Sequence, residues 1–234
     1  LKSAVSDKLL AANVADDILR NTDKIKYKPS EKRPLTPAEK KAVFDATYKY
    51  DSDQAYVYLI YGCGLRREEC VALTIFDFNF KKREVSVSKA YEYITNTPGV
   101  KDTKSANGIR TIPIPSKILP VVQSYVESVK HSGRTQLFVT MRDNKPLTKS
   151  AYDKMWKRIV ESMQAVCKED IVGLTGHVFR HNYCSSLCYQ IPRVSIKRIA
   201  QLLGDTEAMV MNVYSHILAE REDVEGAVND AINF

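Results

Sequence analysis

Leu203-Gly204-Asp205-Thr206-Glu207-Ala208-Met209-Val210-Met211-Asn212-Val213-Tyr214-Ser215-His216-Ile217 joins the end of one helical pattern to a second that carries a tyrosine and a histidine. The spacing predicts a helix over 195–203 and another over 206–214, with Asp205 as the N-cap between them. Upstream stand Thr175-Gly176-His177-Val178-Phe179-Arg180-His181 and, earlier, Gly64-Leu65-Arg66-Arg67-Glu68-Glu69. Arg66 and Arg180 are 114 positions apart (180 − 66), so only folding brings them together. Each offers a planar fork of donors that matches a phosphate. His177 and Arg180, three apart, share a helix face near its N-terminus, where first-turn amides favour an anion and Thr175 is placed to cap. A phenol with a pKa near ~10 attacks only with help from positive charge or a base.

Working outward, 234 residues with 44% hydrophobic side chains can bury a substantial core without staples. The net charge of +7 points to a polyanionic partner. Basic residues crowd the front, with Lys24, Lys26, Lys28, Lys32 and Arg33 followed by Lys101, Lys104 and Arg110; the tail is acidic, with Glu220, Glu222, Asp223, Glu225 and Asp230. Lys24, Lys26, Lys28, Lys32, Arg33 and Lys101 are therefore read as contacts to the phosphates of such a partner, against the plain reading of solvated helix faces. Five cysteines without a CxxC pair fit a reducing interior, and a cytoplasmic setting is expected. The longest apolar run, Ala55 to Leu65, is too short to span a bilayer.

The chain divides on composition. Residues 1–22 read as a remnant terminal helix, and residues 23–35, polar with Pro29 and Pro34, as a linker. Residues 36–234 form the main body, which Thr36-Pro37-Ala38-Glu39 opens as a capping box. Helices are predicted at Ala55 to Tyr61 and Arg66 to Leu73. Period-two alternation follows at Phe76, Phe78 and Phe80, then at Val85 and Val87 across a Lys81-Lys82-Arg83 turn. Tyr91 and Tyr93 are expected to pair with Ile109, Thr111 and Ile112 through a turn at Asn107-Gly108. Helices are then predicted over 116–130, 148–166, 177–190, 195–203, 206–214 and 216–232. The class is α+β, mostly helical with a small antiparallel sheet.

The three ordered motifs resemble the catalytic domain of tyrosine recombinases, the integrases of phages and conjugative transposons. Lys104-Ser105-Ala106-Asn107-Gly108-Ile109-Arg110-Thr111-Ile112-Pro113 is most similar to integrases of Gram-positive mobile elements. The resemblance assigns Arg66, His177 and Arg180 to the scissile phosphate and Tyr214 to nucleophilic attack, giving a 3′-phosphotyrosyl DNA end and a free 5′ hydroxyl. It makes Glu69 and His181 supporting residues and gives the leaving oxygen its proton from a hairpin lysine, for which Lys104 is preferred over Lys101. It implies site-specific breakage and rejoining of DNA attachment sites, with two protomers per site, four in the synapse, and an excisionase or host DNA-bending protein as accessory. No cofactor or metal is implied. One position departs from the pattern: where the family usually has a histidine or tryptophan donor, this chain has Asp205. An ionised carboxylate donates nothing, and at ~5 Å with an effective dielectric of ~20 it repels a phosphate by about 3 kcal/mol. An N-cap role is preferred for it; orienting Arg66 or a histidine is the alternative.

Each motif has a plainer reading when taken singly. Arg66 and Glu69 make an ordinary one-turn ion pair, His177 a structural histidine, and Tyr214 a core side chain. The histidines and cysteines at 177, 181, 184 and 188 have helical spacing, but over roughly 16 Å of one rod they cannot surround a metal tetrahedrally. The rival functions are a noncatalytic DNA-binding regulator of the same fold, a topoisomerase of the same chemistry, and a zinc-dependent hydrolase.

Overall fold

The computed structural model describes residues 33–102 and 108–219, together with Asp7, Ala11, Val14, Gly226, Val228 and Ile232. Internal contacts divide the chain into two units, Leu1–Lys32 and Arg33–Phe234. In the first unit the Val14 amide donates to the Ala11 carbonyl at 3.1 Å.

The second unit opens on the predicted capping box. The Thr36 hydroxyl accepts from the Glu39 amide, and the Glu39 carboxylate accepts from the Thr36 amide, starting α1 (Pro37–Asp45). Glu39 is nearly buried, and the Arg33 guanidinium meets both its oxygens at 2.6 Å. Arg33 also donates to the Val172 carbonyl. Its guanidinium is thus tied to the start of α1. Leu35, placed in the linker on sequence grounds, is also buried.

The apolar run forms α2 (Asp51–Cys63), with every residue from Ala55 to Ile60 buried. It is a core helix, packed by the helices Leu119–His131, Lys149–Gln164 and Gly176–Cys188. Gly64 ends it at φ +61°, a left-handed turn that suits glycine. The reversal starts the short α3 (Arg67–Val71), whose N-cap is Arg66.

A 3₁₀ turn (Ile75–Asp77) leads to a sheet of β1 (Phe78–Asn79), β2 (Glu84–Val87) and β5 (Arg110–Pro113), in the order β1-β2-β5 and all antiparallel. The first hairpin forms where expected, with Phe78 opposite Val85, but its first strand is shorter than the alternation implied: Phe76 lies in the 3₁₀ turn and Phe80 in the turn that follows. The second does not. Tyr91 lies in β3 (Lys89–Glu92), which pairs with β4 (Gly99–Asp102) so that Tyr91 faces Val100. The strand through Thr111 and Ile112 pairs with β2 instead, Val85 opposite Ile112 and Val87 opposite Arg110.

The remaining elements are α4 (Leu119–His131), α5 (Lys149–Gln164), α6 (Gly176–Cys188), α7 (Ile196–Leu203) and α8 (Glu207–Ala219). The first three of these contribute to the main core. Cys184 and Cys188 of α6, Ile199, Ala200 and Leu203 of α7, and Val210 and Ile217 of α8 make a second, smaller core. The cysteine stripe is therefore packing. The predicted break near Ser215 does not occur: α8 runs through Tyr214 and His216 to Ala219. Among the described residues, no helix is long and apolar enough to cross a membrane.

Candidate active site

Ser195 caps α7 by accepting from the Arg198 amide, and Gly204 closes the helix at φ +63°. The Gly204 and Asp205 amides fold back onto the Ala200 carbonyl. A helix end of this kind leaves its last carbonyls without backbone partners. Here three arginines from distant parts of the chain take them in order. Arg110 Nε donates to Leu202 O at 2.9 Å, Arg180 Nη2 to Leu203 O at 2.7 Å, and Arg66 Nη2 to Gly204 O at 2.9 Å. The partial negative charge of the helix C-terminus favours this gathering of cations.

Two carboxylates complete the arrangement. Glu69, 2% exposed, accepts from the Arg66 amide and from Arg66 Nη1, both at 2.9 Å. It also takes both terminal nitrogens of Arg110, at 3.0 and 2.7 Å. Burial pushes the Glu69 carboxyl up, but the arginine hydrogen bonds and charges outweigh it and hold the group at about 2. Asp205 Oδ2 lies 3.1 Å from Arg180 Nη2 and 3.4 Å from Arg66 Nη2, bridging the two guanidiniums. Arg180 is 5% exposed, and burial, together with neighbouring Arg66, brings its guanidinium down to about 10. It remains charged at neutral pH.

Asp205 is not the cap of α8. Its Oδ1 accepts only from the adjacent Thr206 amide, whereas the Thr206 hydroxyl accepts from the Met209 amide one turn on. The N-cap expectation is corrected accordingly: Thr206 caps, and the Asp205 carboxylate turns to the arginines. Thr175 occupies the N-cap position of α6, but its side chain makes no capping hydrogen bond.

Arg66, Arg180 and the exposed His177 line one cleft of about 390 Å³ with Arg67, Tyr152 and Trp156. Arg67 stacks over the Tyr152 ring, 5.2 Å from its centroid. The floor is fixed by a hydrogen bond between the Tyr152 and Tyr56 hydroxyls at 3.1 Å. Tyr214 does not line this cleft; it is half-buried on α8 against the smaller core. His181 lies 3.5 Å from the Ser185 hydroxyl. Lys101 is on β4, ion-paired with Glu92 at 2.8 Å. Lys24, Lys26, Lys28, Lys32 and Lys104 lie outside the described residues. Among the described residues, no group of three or more His, Cys, Asp or Glu is placed to hold a metal ion.

Sequence reasoning missed Arg110, which read as one more surface cation. Its signal was the alternation of β5, where Arg110 and Ile112 point inward and Thr111 outward.

The phage integrase family model matches residues 33–221. Tyrosine recombinase XerA of Pyrococcus furiosus is 28% identical over 83% of this chain and 62% of its own length. The transposase from transposon Tn916 of Enterococcus faecalis is 25% identical over 74% of this chain and 44% of its own length. The chain spans about half the length of the first curated relatives it matches. Among solved structures, the Tn1549 transposon integrase in complex with transposon right end DNA superposes with a TM-score of 0.66 at 21% identity, covering 93% of this chain and 81% of that one. The XerA recombinase superposes with a TM-score of 0.58 at 19% identity, over 82% of this chain and 60% of that one. With a family match that takes in the arginine cluster, its cleft and Tyr214, the chain belongs to the phage integrase family, the tyrosine recombinases.

Proposed function

We propose that this protein is a site-specific DNA recombinase that breaks and rejoins strands to move a mobile element between DNA sites. The observation that carries the reading is the convergence of Arg66 and Arg180, 114 positions apart (180 − 66), on one anion-binding point beside His177. A scissile phosphodiester is the anion that such a pair of forks fits, and the developing charge on its nonbridging oxygens is what fixed guanidiniums stabilise. Tyr214 attacks phosphorus as its phenolic proton leaves to solvent. The P–O5′ bond breaks, the 5′ oxygen takes a proton from Lys104, and the phosphotyrosyl ester keeps the bond energy for rejoining. The reaction needs α8 to bring Tyr214 to the cleft, from its own subunit or from a sister. Glu69 and His181 support the site, the front lysines 24, 26, 28 and 32 with Lys101 hold DNA phosphates, and residues 1–22 belong to a DNA-clamping domain. Two protomers act on each site and four in the synapse, with an excisionase or DNA-bending protein directing the outcome.

Asp205 favours one other reading, a DNA-binding regulator that has lost strand cleavage, because a carboxylate stands where a donor is expected. Incubation with a pool of nicked duplexes of random sequence separates the two. A recombinase leaves denaturant-resistant protein–DNA adducts that Tyr214→Phe abolishes and that enrich a sequence. A regulator enriches a sequence without adducts, and a topoisomerase gives adducts without enrichment.

A further inference from the structure

We propose that Asp205 is the internal counter-anion of the phosphate site: in the DNA-free protein its carboxylate occupies the point between Arg66 and Arg180 that a phosphodiester oxygen takes, and DNA must displace it. The inference rests on the recombinase reading and adds to it a residue that sets how readily the site accepts phosphate.

Counting donors leads there. A guanidinium has five N–H groups, two on each terminal nitrogen and one on Nε. Arg180 Nη2 gives one to Leu203 O and one to Asp205 Oδ2; Arg66 Nη2 gives one to Gly204 O and one to Asp205 Oδ2. Both nitrogens are therefore saturated. A two-pronged contact that uses Nη2 on either arginine needs the hydrogen now pointing at Asp205. The carbonyl partners cannot yield, because they belong to the closed end of α7 and are buried with it. The Asp205 side chain can. It is 28% exposed, attached just past the glycine turn, and held elsewhere only by the adjacent Thr206 amide.

The same geometry explains what the carboxylate gives the free protein. Arg180 is buried beside Arg66 and Arg110, and each cation raises the cost of the others. Glu69 is shared between Arg66 and Arg110; its charge favours the Arg180 guanidinium from a distance, but it makes no hydrogen bond to it. Asp205 supplies the anion on that side. When phosphate arrives carrying its own negative charge, the carboxylate becomes a like-charge neighbour and swings out to solvent.

The test compares wild type with Asp205→Asn and Asp205→Ala, all checked for an unchanged unfolding midpoint within a few degrees. Two readouts are used: the dissociation constant for inorganic phosphate, and the initial rate of adduct formation on the nicked-duplex pool at limiting protein. A displaced counter-anion predicts phosphate binding tighter by roughly tenfold or more in both variants, with faster adduct formation at low DNA. Unchanged or weaker phosphate binding in both overturns it, as does an adduct rate that falls while wild type still reacts; either result makes Asp205 a fixed support of the arginines. Absence of adducts from wild type on every duplex removes the recombinase reading instead, and the phosphate measurement still decides the counter-anion.

Discussion

Arg110 and Glu69 meet as a two-pronged ion pair in the interior, Nη1 to Oε1 at 3.0 Å and Nη2 to Oε2 at 2.7 Å, with side chains 5% and 2% exposed. The pair joins the inner face of β5 to the start of α3, and through Glu69 it also fixes the main chain and guanidinium of Arg66. Truncating one member leaves the other charge buried alone. Arg110→Ala and Glu69→Ala are each expected to lower the unfolding free energy by about 3–5 kcal/mol in urea titrations. The exposed Lys41–Asp45 pair is a control, with a loss of about 1 kcal/mol or less. A loss that small at Arg110 would contradict the structural role assigned to it.

The same carboxylate gives stability a pH signature. Glu69 is held at about 2 in the folded protein against an ordinary 4.5, so its contribution is complete above pH 4.5 and is lost as pH falls toward 2. Over that window wild type should lose on the order of 3 kcal/mol through this group. Glu69→Gln should show a correspondingly flatter decline from pH 5 to pH 2 in urea titrations. Equal slopes in the two proteins would show that Glu69 does not carry the effect.

Gly64 sits where two requirements coincide. Its φ is +61°, and a Cβ there would come within 2.7 Å of Tyr183 Cγ and closer still to Cδ1. Its carbonyl also accepts from Arg180 Nη1 at 3.0 Å. Gly64→Ala should therefore cost about 2 kcal/mol or more and slow adduct formation by misplacing Arg180. Adding Tyr183→Leu relieves the ring contact but not the backbone strain, so partial recovery of the unfolding midpoint is expected. Full recovery would mean that the left-handed turn imposes no strain.

Arg66→Lys and Arg180→Lys keep the charge and remove the fork. If each arginine grips a phosphate oxygen in the transition state, each change should reduce the adduct rate by roughly a hundredfold or more. Because Arg180 also holds Leu203 O and Gly64 O, its variant should in addition melt earlier. Melting curves beside single-turnover rates separate the two effects. A rate within threefold of wild type for either variant would take that arginine off the phosphate.

Local chemistry made much of this fold legible. Thr36 and Glu39 announce a capping box because each side chain serves the other's backbone, and Phe78 and Val85 flank a turn whose length sets their register. Strand partners were harder. The alternation of Thr111 and Ile112 reports which face is buried but not which neighbour lies alongside, and β2, not β3, takes that place. The break expected near Ser215 failed for a related reason: serine tolerates a helix interior, and packing against the smaller core carries α8 onward. That Arg66, His177 and Arg180 would share one cleft was readable from their motifs. Arg110 was not, because an inward arginine and an outward one look alike until a buried partner such as Glu69 is located. The turn of Asp205 toward the arginines likewise depends on where α7 ends relative to two helices far away in sequence.

Peptide mass mapping of the covalent protein–DNA complex tests the central claim most directly. Adducts formed on a nicked duplex that the protein enriches from the random pool would be digested with nuclease and protease, and the peptide bearing residual nucleotide sequenced. The account predicts that nucleotide 3′-phosphate is attached to Tyr214 alone, and that no nucleotide-bearing peptide survives in Tyr214→Phe. Attachment at any other residue, or an adduct that persists in Tyr214→Phe, would contradict it.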